Sequence, residues 1–272
     1  MNFQDKTVFI LGASSDIGVD LAGRFAALGA RVVGTYRDEA ARANFTARDN
    51  LVLFPCDVGN PASVGRAVAA FAKLDRPWDV FISCVGTLEP IGRFFSLGFE
   101  EWENSVRVNS LAQLRVLHAL HPHRRPQSIN HAVFFAGGGT NSPFRNYSAY
   151  CLGKIALIKM CELLDDEDPL LNAVIIGTGF VNTKIHRQTL QNPEGAGPNH
   201  ARTLKFIESA GSDSAMADIF ACINWCVQAG REDVGGRNFS MVNDSWRNGG
   251  RELLAQLAAD RGKFKLRRRG NT

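Results

Sequence analysis

Near the start of this 272-residue chain stands the sequence Thr7-Val8-Phe9-Ile10-Leu11-Gly12-Ala13-Ser14-Ser15-Asp16-Ile17-Gly18. The apolar, β-rich run 7–11 is typical of a strand that is buried on both faces of a parallel sheet. Beyond the glycines, apolar residues recur at helical spacing from Val19 to Phe25. A strand, a glycine turn and a helix in this order predict a dinucleotide-binding site, and an ordinary turn before a helix is the alternative.

The two glycines at the ends of this turn have different physical roles. Gly12 permits the tight turn, and Gly18 lets the helix approach the strand closely. The N-terminus of the helix offers backbone N–H groups and a positive dipole end to a pyrophosphate. The cofactor contacts that we predict here come from Gly12, Ser14, Ser15, Ile17 and Gly18. Asp16 stands where a middle glycine is usual, and we expect it to cap the helix and point away from the phosphates.

The end of the second strand indicates which dinucleotide is bound. An acidic residue at that place binds a ribose hydroxyl, whereas an arginine accommodates a 2′-phosphate. Arg37 follows Tyr36 there, with Asp38 one step later, so the sequence favours NADP and leaves NAD as the alternative. A solvated loop residue is the other interpretation of Arg37. After the third strand, Asp57 and Val58 are predicted to meet the adenine.

The remainder of the chain alternates between strands and helices. One helix is expected from Phe99 to His118, with Asn109 inside it, and an irregular substrate lid near 184–209. We predict one domain over 1–262, followed by a solvated basic tail over 263–272. The pattern predicts an α/β fold whose strands are 7–11, 29–37, 51–54, 78–83, 132–136, 172–176 and 238–242.

A tyrosine and a lysine lie one helical turn apart at Tyr150 and Lys154. Residues i and i+4 share a helix face, so phenol and ammonium can point into one pocket. A nearby ammonium favours phenolate and is expected to lower the pKa of the tyrosine. The pair then exchanges a proton with a substrate oxygen near neutral pH. A solvated helix carries the same spacing by chance.

Composition excludes several classes of function. The net charge of +4 is mild, and much of it lies near the end of the chain, so it gives no reason to expect nucleic-acid binding. Contact with an anionic partner or a subunit is the alternative role of the basic tail. The six cysteines lack paired metal spacing, and three histidines over 118–123 lack a second ligand cluster, so no metal is predicted. Residues 1–6 lack the apolar segment of a signal peptide, and no run is long enough to span a bilayer. We expect a cytoplasmic protein.

The glycine turn, the strand order and the Tyr-x-x-x-Lys pair together resemble the short-chain dehydrogenase/reductases, from Lys6 to about Asp244. The resemblance implies a Rossmann-type doubly wound parallel sheet of about seven strands with helices on both faces. It implies that Tyr150 moves the proton, that Lys154 lowers its pKa and binds the nicotinamide ribose, and that Asn109 holds a water in the proton relay. Two further cofactor contacts are implied, from Gly86 and Thr183.

One departure concerns the substrate. The serine that orients the substrate in this family is replaced by Gly137. A lost oxyanion donor costs on the order of a hundredfold in rate unless another group replaces it. Thr140 and Ser142 are the candidate replacements, and a hydroxyl on the substrate is another.

These observations predict an NAD(P)-dependent oxidoreductase that interconverts a secondary alcohol and a ketone. The polar approach over 137–146 favours a sugar or polyol-like small molecule. The alternative is a catalytically impaired dinucleotide-binding homologue that acts as a cofactor sensor or partner subunit. By resemblance, a homodimer or homotetramer is expected.

Overall fold

The computed structural model describes residues 3–209 and 213–268, and its centre is a seven-stranded parallel sheet. Each predicted strand is present, with ends that differ slightly from the expected ones. The order across the sheet is β3-β2-β1-β4-β5-β6-β7. The strands are β1 (Thr7–Leu11), β2 (Arg31–Tyr36), β3 (Leu51–Pro55), β4 (Val80–Ser83), β5 (Asn130–Phe135), β6 (Leu171–Gly177) and β7 (Asn238–Ser240).

Helices cover both faces of the sheet, as expected for a doubly wound fold. Along β1, Val8 and Ile10 belong to one buried cluster, and Phe9 and Leu11 belong to the other. This alternation follows from the two-residue period of a strand. The helices are α1 (Asp16–Ala27), α2 (Pro61–Ala72), α3 (Phe99–Asn109), α4 (Leu111–Leu120), α5 (Ser148–Glu167), α6 (Ile185–Gln191), α7 (Pro193–Ala196), α8 (Pro198–Ser209), α9 (Asp213–Ala229), α10 (Arg231–Val234) and α11 (Arg251–Ala259).

The strand order reverses between β1 and β4, which are neighbours although two strands separate them in sequence. Leu11 at the end of β1 lies beside Ser83 at the end of β4. In doubly wound sheets, ligands bind outside the carboxyl ends of the strands at such a switch point. The fold therefore places the turn after β1 at the expected position for a ligand.

The single helix expected over 99–118 is wrong, because the chain breaks at Ser110 into α3 and α4. Ser110 has φ −142° and ψ −84°, which are not helical angles. The break shifts the hydrogen bonding, so that the N–H of Gln113 donates to the carbonyl of Ser110. In a continuous helix that N–H donates to the carbonyl of Asn109. The Asn109 carbonyl therefore does not accept the Gln113 N–H, as it would in a continuous helix.

The sequence suggested that the segment 184–209 is irregular. In the structure it consists of the helices α6, α7 and α8. It is fixed to neighbouring segments by side-chain hydrogen bonds. Asn146 donates to the carbonyl of Gly195 at 2.7 Å, and Asn192 donates to the carbonyl of Ile91 at 3.1 Å. Tyr147 and Thr189, both buried, share a hydroxyl hydrogen bond of 2.9 Å.

The solvated tail expected from residue 263 is wrong for the part that the structure describes. The carbonyl of Phe264 accepts the N–H of Asn238 in β7, and its ring packs edge-on against Phe239. Arg267 pairs with Glu162 of α5 at 2.5 Å. Phe264 therefore lies against the edge strand β7 and Arg267 is fastened to α5, and the remainder of the predicted tail, 269–272, lies outside the described residues.

Within the described ranges, none of the helices is both long enough and apolar enough to cross a bilayer. The same residues contain no cluster of three histidine, cysteine or acidic side chains that could hold a metal ion.

Candidate active site

A cleft of about 1360 Å³ lies outside the carboxyl ends of the strands. It joins the turn after β1, the ends of β4 to β7 and the segment over 184–209. Most of the side chains and glycines predicted for the site line this single cleft. They are Gly12, Ser14, Ser15, Ile17, Arg37, Asp57, Val58, Gly86, Gly137, Thr140, Ser142, Tyr150, Lys154 and Thr183. Gly18 and Asn109, the other two, are buried behind its wall.

The glycine turn has the close backbone approach that the sequence predicts. Gly12 has φ +71°, where side chains are rarely tolerated, and an added Cβ would lie 2.9 Å from Val85 Cγ2. A Cβ on Gly18 would lie 2.6 Å from the carbonyl oxygen of Ala13. Both glycines are therefore required for α1 to begin directly behind β1.

The expected cap of α1 is wrong, because Ser15 caps the helix and Asp16 does not. The Ser15 hydroxyl accepts the N–H of Gly18 at 3.1 Å, while Asp16 is the first helical residue. The Asp16 carboxylate instead accepts the backbone N–H of Lys184 at 2.6 Å, and its second oxygen lies 3.4 Å from Lys184 Nζ. The carboxylate points towards the segment over 184–209.

At the end of β2, the acidic and basic side chains have different roles. Asp38 accepts the N–H of Ala40 and caps the short 3₁₀ helix Glu39–Asn44. Arg37 is exposed at the cleft, and no hydrogen bond or ion pair to it occurs among the described residues. The arginine is the group that remains free to meet a ligand here.

Asp57 and Val58 follow β3 at the same end of the cleft. Asp57 uses one carboxylate oxygen to accept the N–H of Gly59 at 2.9 Å, and its own N–H donates to Ser63. Val58 is buried among the apolar residues of the sheet face. The loop is thus held in place by its own hydrogen bonds, with the Asp57 side chain exposed.

Tyr150 and Lys154 project from one face of α5 into the cleft, as their spacing predicts. Lys154 Nζ lies 5.8 Å from the centre of the Tyr150 ring and donates to the carbonyl of Val85 at 3.4 Å. Burial lowers the pKa of Lys154 to about 8. Burial, with a smaller effect of Cys151, raises the pKa of Tyr150 above its ordinary value. The expectation of a lowered tyrosine pKa is therefore wrong, because desolvation dominates.

Gly137, two residues after the end of β5, lies directly against Tyr150. A Cβ built on Gly137 would overlap the Tyr150 hydroxyl and ring. No side chain, serine included, fits at residue 137 while Tyr150 holds this position. The glycine is thus a steric requirement of the tyrosine conformation.

Asn109 is fully buried, and its amide fastens the loop after β4. Its Oδ1 accepts the N–H of Thr87 at 3.1 Å. Its Nδ2 donates to the carbonyl of Thr87 at 2.8 Å and to that of Ser105 at 3.0 Å. Gly86 lies between this amide and Lys154, since a Cβ there would be 3.5 Å from Asn109 Oδ1 and 3.6 Å from Lys154 Nζ.

The three remaining hydroxyl candidates differ in position. Thr140 donates to the carbonyl of Gly137 at 3.3 Å, so its hydroxyl is close to the residue that replaces the serine. Ser142 is exposed at the rim. Thr183, which follows β6, donates to the carbonyl of Val181 at 3.3 Å.

Gln188 of α6 is a residue of this site that sequence reasoning missed. Its Oε1 accepts the N–H of Leu88 at 2.8 Å, and its Nε2 donates to Thr87 Oγ1 at 3.1 Å. It links the segment over 184–209 to the same loop that Asn109 holds. The two sides are 101 residues apart in sequence, and no local motif marks the contact.

The residues present fit a nicotinamide dinucleotide. The turn lines the cleft with Gly12, Ser14, Ser15 and Ile17, and α1 begins directly behind it, so that the helix N-terminus faces the site. Arg37 offers an exposed cation at one end of the cleft. Lys154 offers a buried amine near Gly86, beside Tyr150.

Comparisons with known proteins agree with this geometry. The family model described as short chain dehydrogenase matches residues 6–194. An oxidoreductase of Schizosaccharomyces pombe described as uncharacterized is 25% identical over 228 residues, 81% of this chain and 90% of the relative. The 2,3-dihydro-2,3-dihydroxybenzoate dehydrogenase of Bacillus subtilis is 25% identical over 71% of this chain and 76% of its own. The fold also matches a short chain dehydrogenase structure from Shigella flexneri complexed with NADP, at TM-score 0.74 and 20% identity, covering 88% of this chain and 98% of that one.

Proposed function

The chain belongs to the short-chain dehydrogenase family, and on that premise we propose that it is an NADP-dependent oxidoreductase that interconverts a secondary alcohol and a ketone. The observation that carries the proposal is the convergence of Tyr150 and Lys154 with the glycine turn in one cleft. A bound nicotinamide supplies or accepts the hydride. The residues of the chain then have to hold that cofactor, orient the substrate and move one proton.

Tyr150 moves the proton at its hydroxyl oxygen. Because burial raises its pKa, the phenol keeps its proton at neutral pH and is suited to donate it to a carbonyl oxygen. We therefore propose that the ligand-free protein is in the protonation state needed to reduce a ketone.

Lys154 and Asn109 support that step in different ways. Lys154 lies between the Val85 carbonyl and the tyrosine ring, where its amine can bind the ribose of the cofactor. The Asn109 side-chain amide is bonded to Thr87 and Ser105 and fastens the loop after β4. Its backbone carbonyl, released by the helix break at Ser110, is the group that we assign to the proton relay.

The choice of NADP rests on the end of β2. Asp38 is engaged as a helix cap, whereas Arg37 is exposed at the cleft and available to a 2′-phosphate. The cofactor contacts proposed with it are Gly12, Ser14, Ser15, Ile17, Gly18, Asp57, Val58, Gly86 and Thr183. NAD is the weaker alternative, because the Asp38 carboxylate at this point accepts the N–H of Ala40 as a helix cap.

For the substrate we propose a small sugar or polyol-like molecule. The approach to Tyr150 runs along the polar stretch over 137–146, and the Thr140 hydroxyl lies 3.3 Å from the carbonyl oxygen of Gly137. Thr140 is therefore our candidate for the role of the missing serine. The segment over 184–209 would serve as the lid above this end of the cleft, and we retain a cytoplasmic homodimer or homotetramer as part of the proposal.

The test is a fluorescence titration of the protein with NADPH and with NADH, followed by a panel of aldoses, ketoses and aliphatic ketones. We expect tighter binding of NADPH and oxidation of it with at least one carbonyl compound that bears neighbouring hydroxyls. Binding without turnover by any member of a broad panel would instead favour the cofactor-sensor alternative.

A further inference from the structure

The Asp16 carboxylate connects the glycine turn with the lid segment 184–209. Asp16 and Lys184 are 168 residues apart in sequence. One carboxylate oxygen accepts the backbone N–H of Lys184 at 2.6 Å, and the other lies 3.4 Å from its ammonium. Both residues line the cleft.

This contact joins two walls of one site. Ser14 and Ser15 stand on the side of the turn, and Thr183 stands immediately before Lys184 on the opposite side. The far end of α6 is fastened separately, by Gln188 to Leu88 and by Thr189 to Tyr147. Asp16 therefore holds the one end of α6 that faces the turn.

We propose that Asp16 is a latch that fastens the lid to the glycine turn and thereby slows the dissociation of the nicotinamide cofactor. The inference rests on the proposed function, since it assigns to Asp16 the retention of the cofactor bound at that site. A carboxylate next to phosphates would by itself repel them. Here the carboxylate is directed to the lid, where one oxygen accepts the Lys184 N–H and the other lies near the Lys184 ammonium.

The two parts of the contact can be separated by substitution. Asp16→Asn keeps an oxygen acceptor for the Lys184 N–H and removes the ion pair. Lys184→Met also removes the ion pair and leaves the N–H in place. Asp16→Ala removes both. Exposed ion pairs contribute little, so the first two variants should change the cofactor dissociation rate by about twofold or less. Loss of the charged hydrogen bond in Asp16→Ala should raise that rate about tenfold.

The experiment is a stopped-flow displacement of bound NADPH by excess NADP⁺, with the wild type and the three variants. Hydrogen exchange of the free proteins over 183–191 is the second readout, because it needs no cofactor. We expect faster dissociation and faster exchange in Asp16→Ala alone, with unchanged exchange in the core strands as the control for folding.

Each outcome has a distinct meaning. Wild-type protein that binds neither NADPH nor NADH would overturn the proposed function and the retention role together. Wild-type binding with unchanged or slower dissociation in Asp16→Ala would overturn the latch alone, and slower dissociation would show that repulsion dominates. Faster dissociation in Asp16→Asn equal to that in Asp16→Ala would contradict the assignment of the effect to the hydrogen bond.

Discussion

The hydroxyl and ring of Tyr150 lie in the space that a side chain on Gly137 would need. The glycine at residue 137 therefore does more than remove a hydroxyl donor, because it also leaves room for the Tyr150 side chain in its present position. A serine at residue 137 and this tyrosine conformation exclude one another, so Tyr150 would have to move to admit the family's usual residue.

We predict that Gly137→Ser lowers the turnover number, although it restores the family's residue. Its Cβ would displace Tyr150 from its place, and a misplaced catalytic group can cost about a hundredfold. Gly137→Ala should lower it similarly, because the cause is steric. Steady-state kinetics of both variants test this, with Gly138→Ala as the control, whose Cβ would meet Phe144 at 3.1 Å. A Gly137→Ser protein more active than the wild type would contradict the steric explanation.

We predict that burial of the Lys154 amine lowers the free energy of unfolding at neutral pH. Its pKa is lowered to about 8, so the unfolded chain binds more protons between that pH and the ordinary lysine pKa near 10.4. Stability therefore rises with pH across this window. Lys154→Met should raise the free energy of unfolding by about 1–3 kcal/mol at pH 7, and by less near pH 10.

Urea unfolding at the two pH values measures this difference. Lys159→Met, on the same helix but exposed and paired with Glu162 at 2.9 Å, is the matched control for the loss of a lysine side chain from α5. A Lys154→Met protein that is less stable than the wild type at pH 7 would refute the prediction.

Arg37→Ala is predicted to weaken NADPH binding by about tenfold and to leave NADH binding unchanged, because one charged contact to a 2′-phosphate is lost. Fluorescence titration with both cofactors provides the measurement. Arg42→Ala is the control, since Arg42 is paired with Glu39 at 3.2 Å and does not line the cleft. Equal losses for both cofactors would assign Arg37 a role other than recognition of the phosphate.

Asn109→Ala should lower the free energy of unfolding by about 2–3 kcal/mol, because the Thr87 N–H and carbonyl lose their buried partners. It should also reduce turnover, since the loop that carries Gly86 becomes loose. Denaturant unfolding compares it with Asn104→Ala, an exposed asparagine of the same helix that accepts from Arg107. Equal effects of the two substitutions would mean that burial of Asn109 contributes nothing.

The sequence predicted the parts of this molecule that depend on neighbouring residues. The turn from Gly12 to Gly18 is one local unit, and Tyr150 and Lys154 share one helix face by spacing alone. The fold could be predicted for the same reason, because buried parallel strands are continuous apolar runs.

The predictions that were wrong concern features that depend on contacts between residues far apart in sequence. Asp16 could have capped α1, but Lys184 supplies a partner that no local pattern reveals. The sign of the Tyr150 pKa shift depends on burial by residues from several elements. The lid helices α6 and α7 are short, at 7 and 4 residues, and the prolines and glycines around them mimic a loop.

The central claim is that Tyr150 moves the proton during hydride transfer with NADPH. The most direct measurement follows NADPH oxidation in a single turnover with a ketone substrate, for the wild type and Tyr150→Phe. We predict that both bind NADPH with similar affinity, and that Tyr150→Phe reacts at least about a hundredfold more slowly. A Tyr150→Phe protein that oxidises NADPH as fast as the wild type would contradict the claim.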